Sequence, residues 1–397
     1  MAGRSEPIAV VLFQLGGPDS LDAVEPFLFN LFSDPDIIDF PFARLARPTL
    51  ARLISSWRAR HVQQHYALIG GKSPLRELTE RQAAALEREL RKTVDARVFV
   101  AMRYWHPLTE EVVEPIADGN FRELVLLPLY PQYSKTTTGS SLNEWNRQYN
   151  ARVHQPLPTR LVREFFDHLG YLDAVAERIN EGLARFRPLD VILSASEESQ
   201  HSELKETLRG VHPGRNAGVL PLRAAQGQDD TRRAQGDKGR RSLPSSGQAP
   251  NSATEDVWLV FSAHGVPVRV TESGDPYQQQ IEETVRRVMA RGGWPNPHVL
   301  CWQSRVNPGK WLEPSLGETL RAFAAQGARR ALIIPISFVS DHLETLAEID
   351  IEARALANQA GIRQFELMPA LNDSPTFLRA LADLVLAQVG TRASAFR

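Results

Sequence analysis

The chain has 397 residues, 42% hydrophobic and 23% charged, with 46 Lys+Arg against 47 Asp+Glu and a formal net charge of -1. That balance supplies no global basic field to recruit nucleic acid, and the length exceeds a comfortable single core, so two domains or one duplicated architecture are expected. A single cysteine, Cys301, excludes an intramolecular disulfide and any multi-cysteine zinc or iron–sulfur site within one chain, and it fits a reducing cytosol.

The first apolar run, 8–15, is too short for a membrane span and has no small-residue cleavage site near it; it reads as a strand. The turn Gly16-Gly17-Pro18-Asp19-Ser20 follows, then a helical pattern over 21–32. Gly16-Gly17 lacks the lysine of a phosphate loop and the spacing of a dinucleotide fingerprint, so it reads as a plain turn. Residues 40–76 contain no acidic side chain, while Arg44, Arg47, Arg52, Arg58 and Arg60 alternate with Leu45, Leu50, Leu53, Ile54 and Trp57. Such a basic, amphipathic segment suits an anionic ligand or peripheral contact with a membrane surface; a solvated helix face is the competing reading.

A glycine-containing loop (Gly70-Gly71-Lys72-Ser73) leads to a helix over 75–94, a strand over 98–104, a helix after Pro107 and a strand over 124–130. Strands alternating with helices imply right-handed crossovers and a parallel sheet. Two of these strands run into Arg103-Tyr104-Trp105-His106-Pro107 and the segment 129–139, rich in aromatics and hydroxyls at the end where such sheets bind ligands; an aromatic-lined cleft suits a large flat ligand. After a helix over 171–186 the pattern breaks. From 188 to 256 there is no Phe, Trp or Tyr, and text this polar cannot bury enough surface to offset its ordering entropy. It reads as a largely disordered, passive surface insertion with a short helix over 203–209, sited away from any cleft. Deleting 200–249 is expected to leave activity intact.

The α/β rhythm then restarts, with strands over 257–263, 298–303, 331–336 and 365–368, and helices over 277–289, 316–325, 343–357 and 375–389. His264 follows a buried strand and precedes Gly265 and Pro267, so a rigid turn presents its ring, which could take protons or ligate a metal. Ser262 lies two residues ahead, but Phe261-Ser262-Ala263-His264 lacks the glycines of a nucleophile elbow. Asp341-His342-Leu343-Glu344 has two readings. Asp-x-x-Glu before an apolar helix is a capping-box-like pattern, while Glu344 and Glu348 share a helix face, with Asp350 near, as a carboxylate line that could relay protons or guide a cation. His264 with Glu344 offers nitrogen and oxygen ligation suited to transient handling of a first-row divalent ion.

At these residues the chain resembles the ferrochelatases, a family that inserts ferrous iron into a porphyrin in the last step of haem synthesis. The resemblance spans nearly the whole chain apart from 188–256. It rests on Gln14-Leu-Gly-Gly-Pro18, Ile69-Gly-Gly-Lys-Ser-Pro74, Arg103-Tyr-Trp-His-Pro107, Tyr130-Pro-Gln-Tyr-Ser134, Ser262-Ala-His-Gly265, Trp302-Gln-Ser304 and Ser340-Asp-His-Leu-Glu-Thr-Leu346. It implies a chelatase-like α/β fold of two Rossmann-like, doubly wound parallel-sheet domains: 1–165 with the porphyrin-binding segment, 166–374 with His264 and Glu344, and a terminal helix 375–397 packing back on the first. His264, Glu344 and Glu348 are then the catalytic residues, with proton acceptor and metal ligand both open to His264 and Glu344 a second metal ligand. Arg58, Tyr66 and Ser73 match positions that hold the porphyrin and its propionates, and Trp311 an aromatic packing on the macrocycle. Leu15 is apolar where relatives using coproporphyrin carry tyrosine, which implies protoporphyrin IX. The iron is substrate, no cofactor is tightly bound and no iron–sulfur cluster is expected. The implied location is the cytoplasm, with peripheral contact at the inner membrane. A chelatase for another metal or tetrapyrrole and a non-catalytic tetrapyrrole carrier are the alternatives.

Overall fold

Seven consecutive residues, Ile8–Gln14, form strand β1, and every one is buried. Continuous burial without a polar alternation means that both faces of the strand are covered. In the computed structural model, which describes residues 6–37, 43–187, 254–304 and 309–389, the two faces are distinguishable. Ile8, Val10 and Leu12 enter one apolar cluster, whereas Ala9, Val11 and Phe13 enter another. That is the two-residue period of a pleated strand.

The first sheet holds β1, β2 (Ala96–Met102), β3 (Glu123–Pro128) and β4 (Thr159–Leu161) in the order β2-β1-β3-β4, all parallel. The second holds β5 (Trp258–His264), β6 (His298–Gln303), β7 (Arg330–Pro335) and β8 (Gln364–Leu367) in the order β6-β5-β7-β8, again all parallel. One topology is thus used twice. In each copy the chain leaves the first strand toward one edge and returns on its other side, so the connections diverge beside the carboxyl ends of β1 and β3, and of β5 and β7. Open α/β sheets bind ligands at such switch points.

The helices of the first half are α1 (Val24–Ser33), α2 (Ala43–Leu68), α3 (Leu75–Leu90), α4 (Thr109–Ala117), the short π-helix π1 (Lys135–Gly139), α5 (Ser140–Arg152) and α6 (Leu169–Leu183). Those of the second are α7 (Val268–Glu272), α8 (Tyr277–Gly292), α9 (Leu316–Ala325), the π-helix π2 (Glu344–Ala353), α10 (Arg354–Ala360) and α11 (Pro375–Val389). Helices cover both faces of both sheets. The inner faces share one core: Leu86 and Leu90 of α3, Val175 and Ile179 of α6, Ile281 and Val285 of α8 and Phe377 and Leu381 of α11 join alternate residues of β1 and of β5. Helix α11 packs on α3 and α6, which brings the end of the second half against the first.

Among the described residues the elements expected from the sequence are matched within a few residues, except that the helix expected over 343–357 is π2 continued by α10; π1, α5, β4 and α7 were not foreseen. Residues 188–253 of the insertion, with its expected short helix, and residues 390–397 of the terminal segment lie outside the described residues.

Candidate active site at the strand ends

Strand β5 ends at His264, which pairs in register with Gln303 of β6. Its peptide is held on both sides: the N–H donates to Ser337 Oγ (3.0 Å) and the carbonyl accepts from Tyr277 Oη (3.1 Å). Gly265 is required next, because its own N–H donates to the Gln303 carbonyl at 2.7 Å and a Cβ there would sit 2.6 Å from that same oxygen. The residue as a whole keeps partial exposure. Burial nevertheless lowers its pKa below the ordinary value, opposed by the charge of Glu344 and by a bond with Gly265, and assisted by His342. A neutral imidazole able to accept a proton is the result at neutral pH.

The loop after β7 brings two further rings. Phe338 lies edge-on to His264, with ring centroids 6.3 Å apart, and tilts over His342 at 4.1 Å. His342 Nδ1 is 3.0 Å from the Ser340 carbonyl, so Nδ1 carries the proton and Nε2 the lone pair of a neutral ring. Nε2 stands 3.1 Å from Glu344 Oε2 without the alignment of a hydrogen bond. A lone pair facing a carboxylate at that range is repulsive unless a proton or a cation is shared between them. The pair is therefore a place to hold positive charge next to His264.

Glu344 opens π2, and the capping-box reading is not what the segment does. The Asp341 N–H donates to Asn372 Oδ1 (3.1 Å), and Thr345 Oγ1 accepts from the His342 N–H (3.0 Å), so the start of the helix is closed without Glu344. Glu348 follows four residues on. Burial and the charge of Glu344 push its pKa up to about 7; the charge of Glu352 adds to the rise, while a 2.5 Å bond from Ser304 Oγ and the charge of Arg58 oppose it. Asp350, expected near this line, turns away and pairs with Arg354 at 2.5 Å. Its place is taken by Glu352, whose Oε1 lies 3.2 Å from His65 Nε2 on α2.

Helix α2 supplies the opposing wall. Its buried side includes Ala51, Ala59 and Tyr66, in a cluster with Tyr104 against which Leu15, Trp105 and Leu343 pack. Leu343 immediately precedes Glu344, so this cluster joins the wall to the start of π2. Burial raises the Tyr66 pKa, and Glu344 raises it further, keeping the phenol a donor. Arg58 has its pKa lowered by burial, against the opposing charge of Glu348. Ser73, buried, donates its N–H to the Pro18 carbonyl at 2.8 Å, and a Cβ at Gly17 would collide with its hydroxyl. The Gly16-Gly17 turn thus permits a close approach rather than cradling phosphate. Trp311 bridges to Pro267, and a Cβ on Gly265 would lie 3.5 Å from its ring.

The structure therefore connects His264, Glu344, Glu348, Tyr66 and Arg58 through mutual electrostatic contacts, with Leu15 and Leu343 packed against the same cluster and Trp311 beside Gly265. The motif at 103–107 contributes differently from the expected aromatic lining. Tyr104 is fully buried and donates to Asp34 Oδ2 (2.6 Å), while Arg103 pairs with the same oxygen at 2.9 Å. Ser262 is fully buried and donates to Gln303 Oε1 (2.6 Å), which removes it as a nucleophile. Cys301 is buried too, its thiol pushed up to about 12, and so inert. His342, Phe338, Ser304 and Glu352 were not singled out from sequence. Only Glu352 left a readable signal, four residues beyond Glu348. Among the described residues no group of three or more His, Cys, Asp or Glu side chains is arranged to hold a metal ion. Two surface clefts, about 390 and about 570 Å³, lie elsewhere: one beside Arg103 and Asp34, the other behind π2 against Asp341 and Asp350.

The sequence profile described as Ferrochelatase matches residues 7–207 and 242–389. A protein named ferrochelatase from Thermosynechococcus vestitus is 41% identical over 379 residues, 95% of this chain and 81% of its own. Its namesake from Geobacter metallireducens is 42% identical over 381 residues, 96% of this chain and 98% of its own. A solved structure of CbiX, the terminal enzyme of sirohaem biosynthesis in denitrifying bacteria, aligns with 97% of this chain and 100% of its own at 14% identity and a TM-score of 0.40. The profile also narrows the insertion, since 188–207 and 242–256 fall within the match and only 208–241 stay outside it. The chain belongs to the ferrochelatase family.

Proposed function

We propose that the protein is a lyase that inserts ferrous iron into protoporphyrin IX to give protohaem. The observation that carries this reading is the continuous run of exchangeable groups from His264 through the Glu344–His342 pair to Glu348 and Glu352, beside a wall bearing Tyr66 and Arg58. Metallation requires exactly what such a run offers: two pyrrole N–H protons must leave as the metal arrives. His264, neutral at working pH, takes protons from the macrocycle, and Glu344 with His342 receives them or holds the incoming cation. Glu348, poised near neutrality, passes them outward. Arg58, Tyr66 and Ser73 hold the propionates, guanidinium and hydroxyl donors being suited to carboxylates. Trp311 packs on the ring, and binding energy from these contacts offsets the distortion that exposes the nitrogen lone pairs. Leu15 offers no polar group to an additional propionate, which favours protoporphyrin over coproporphyrin.

Helix α2 also supports peripheral membrane contact. Leu53, Trp57 and Leu68 are exposed at 68%, 81% and 55% along one side, and Arg52 and Arg60 flank them. No described helix is long and apolar enough to cross a membrane. An exposed Trp beside arginines fits an interfacial contact with anionic headgroups.

The test is anaerobic turnover of ferrous iron with protoporphyrin and with coproporphyrin, for the native chain, His264→Ala and Glu344→Gln. Haem formation from protoporphyrin, reduced at least a hundredfold in both variants, is the expected result. Tight porphyrin binding without metallation by the native chain would make it a carrier, and faster turnover of coproporphyrin would overturn the inference from Leu15.

A further inference from the structure

The peptide of His264 is bonded by Tyr277 and Ser337, neither of which reaches the reacting atoms in the scheme above. Tyr277 Oη also bonds with Ser337, closing a three-membered arrangement around the histidine backbone. Burial raises the phenol's pKa, so it stays protonated and stays a donor. Tyr277 begins α8, and its own N–H donates to Asp275 Oδ1 at 3.0 Å. Asp275 is only 4% exposed, yet its carboxylate is satisfied: Oδ2 accepts from Ser134 Oγ (3.0 Å) and from the Lys135 N–H (2.8 Å).

Those last two donors belong to the other half of the chain. They end a ladder that docks the loop after β3 onto α8: the Tyr133 N–H donates to Gln280 Oε1 (2.7 Å), and Gln132 Nε2 to Thr284 Oγ1 (3.1 Å) and more weakly to the Ile336 carbonyl (3.4 Å). Ile336 adjoins Ser337. The loop after β3 is therefore bonded to Asp275, which also accepts from the Tyr277 N–H, and to Ile336, the neighbour of Ser337. We infer that Tyr277 and Asp275 are positioning residues for His264, through which the loop after β3 sets where the imidazole stands. This rests on the reading of His264 as the proton acceptor. A structural role alone would need the Tyr277 ring, which packs in the shared core and against Trp302, but not its hydroxyl.

Tyr277→Phe keeps the ring and removes only the donor, and Asp275→Asn keeps the size and weakens the tie to Ser134 and Lys135. In both, kcat for metallation is expected to fall about tenfold or more with the porphyrin KM within about twofold, because a small displacement of a proton acceptor is costly to the chemical step and not to binding. The second readout needs no substrate: the His264 ring cross-peak in a ¹H–¹³C spectrum, identified by its loss in His264→Ala, is expected to shift in both variants while the other histidines hold. A His264 signal unmoved in both variants overturns the proposal, and so does a moved signal with kcat unchanged. If the native chain metallates no porphyrin, the proposed function fails and the ring signal alone decides the positioning. Should Tyr277→Phe not fold, Asp275→Asn carries both readouts.

Discussion

Glu348 shows how one side chain can serve proton movement and weaken the fold at the same time. Burial and the charges of Glu344 and Glu352 favour its neutral form, so its pKa is about 7 in the folded chain against 4.5 when unperturbed. A carboxyl raised on folding binds more protons in the native state than in the unfolded one. Its contribution is fully present below pH about 4.5 and is lost as pH rises through about 7. The swing is on the order of 3 kcal/mol. Urea titrations of the native chain and Glu348→Gln should therefore agree near pH 4 and diverge by pH 8, with the variant the more stable. Equal stabilities at pH 8 would mean that Glu348 ionises freely, and its part in passing protons would go with that. The same residue illustrates what sequence can reveal: i,i+4 spacing linked Glu348 to Glu344, and one more step would have reached Glu352. Asp350 was misplaced because proximity in sequence was read as proximity on a face, whereas two residues along a helix point away from each other.

At the scale of elements, the strands were legible because β1, β3, β5 and β7 are built on short apolar runs bounded by turn residues, the length and pattern of a strand covered on both faces. His264 and Glu344 were legible as the polar residues that follow such runs. The π2 conformation was not: its i→i+5 bonding has no side-chain signature, and propensity for Glu344–Ala353 is that of an ordinary helix. His342 stayed unassigned for a related reason, since its role depends on the 3.1 Å approach to Glu344 that only the loop geometry creates. Helix α2 has two unlike sides. Tyr66 and Ala59 are buried in the cluster with Tyr104, while Leu53 and Trp57 face out. Replacing Leu53 and Trp57 with serine should leave the turnover of solubilised porphyrin within about twofold, surface substitutions being mild. The same pair should abolish flotation with vesicles containing anionic lipid. Flotation that persists would assign the outward side to something other than a membrane.

At the scale of the whole molecule, one topology used twice places two switch points, and the duplication was readable from the restart of the α/β rhythm near residue 257. The long polar stretch interrupts that repeat just before the strand that carries His264, so its attachment matters more than its length. Both of its feet are held by one residue. Arg330, the first of β7 and 2% exposed, pairs with Asp256 at 2.5 Å and lies over the Phe186 ring at 5.3 Å. A clamp that close to the sheet makes the fold insensitive to what lies between the feet, because the closure term changes by only about 0.6 kcal/mol when a loop is halved. Deleting 208–241, the part outside the family match, should therefore change stability by no more than about 1 kcal/mol and leave kcat intact. Arg330→Leu should do the opposite, lowering stability by about 2 kcal/mol or more through the lost ion pair and ring contact. Both are read from thermal and urea unfolding of the full chain. A deletion more damaging than Arg330→Leu would mean that residues 208–241 themselves hold the second half together, and the clamp would be incidental.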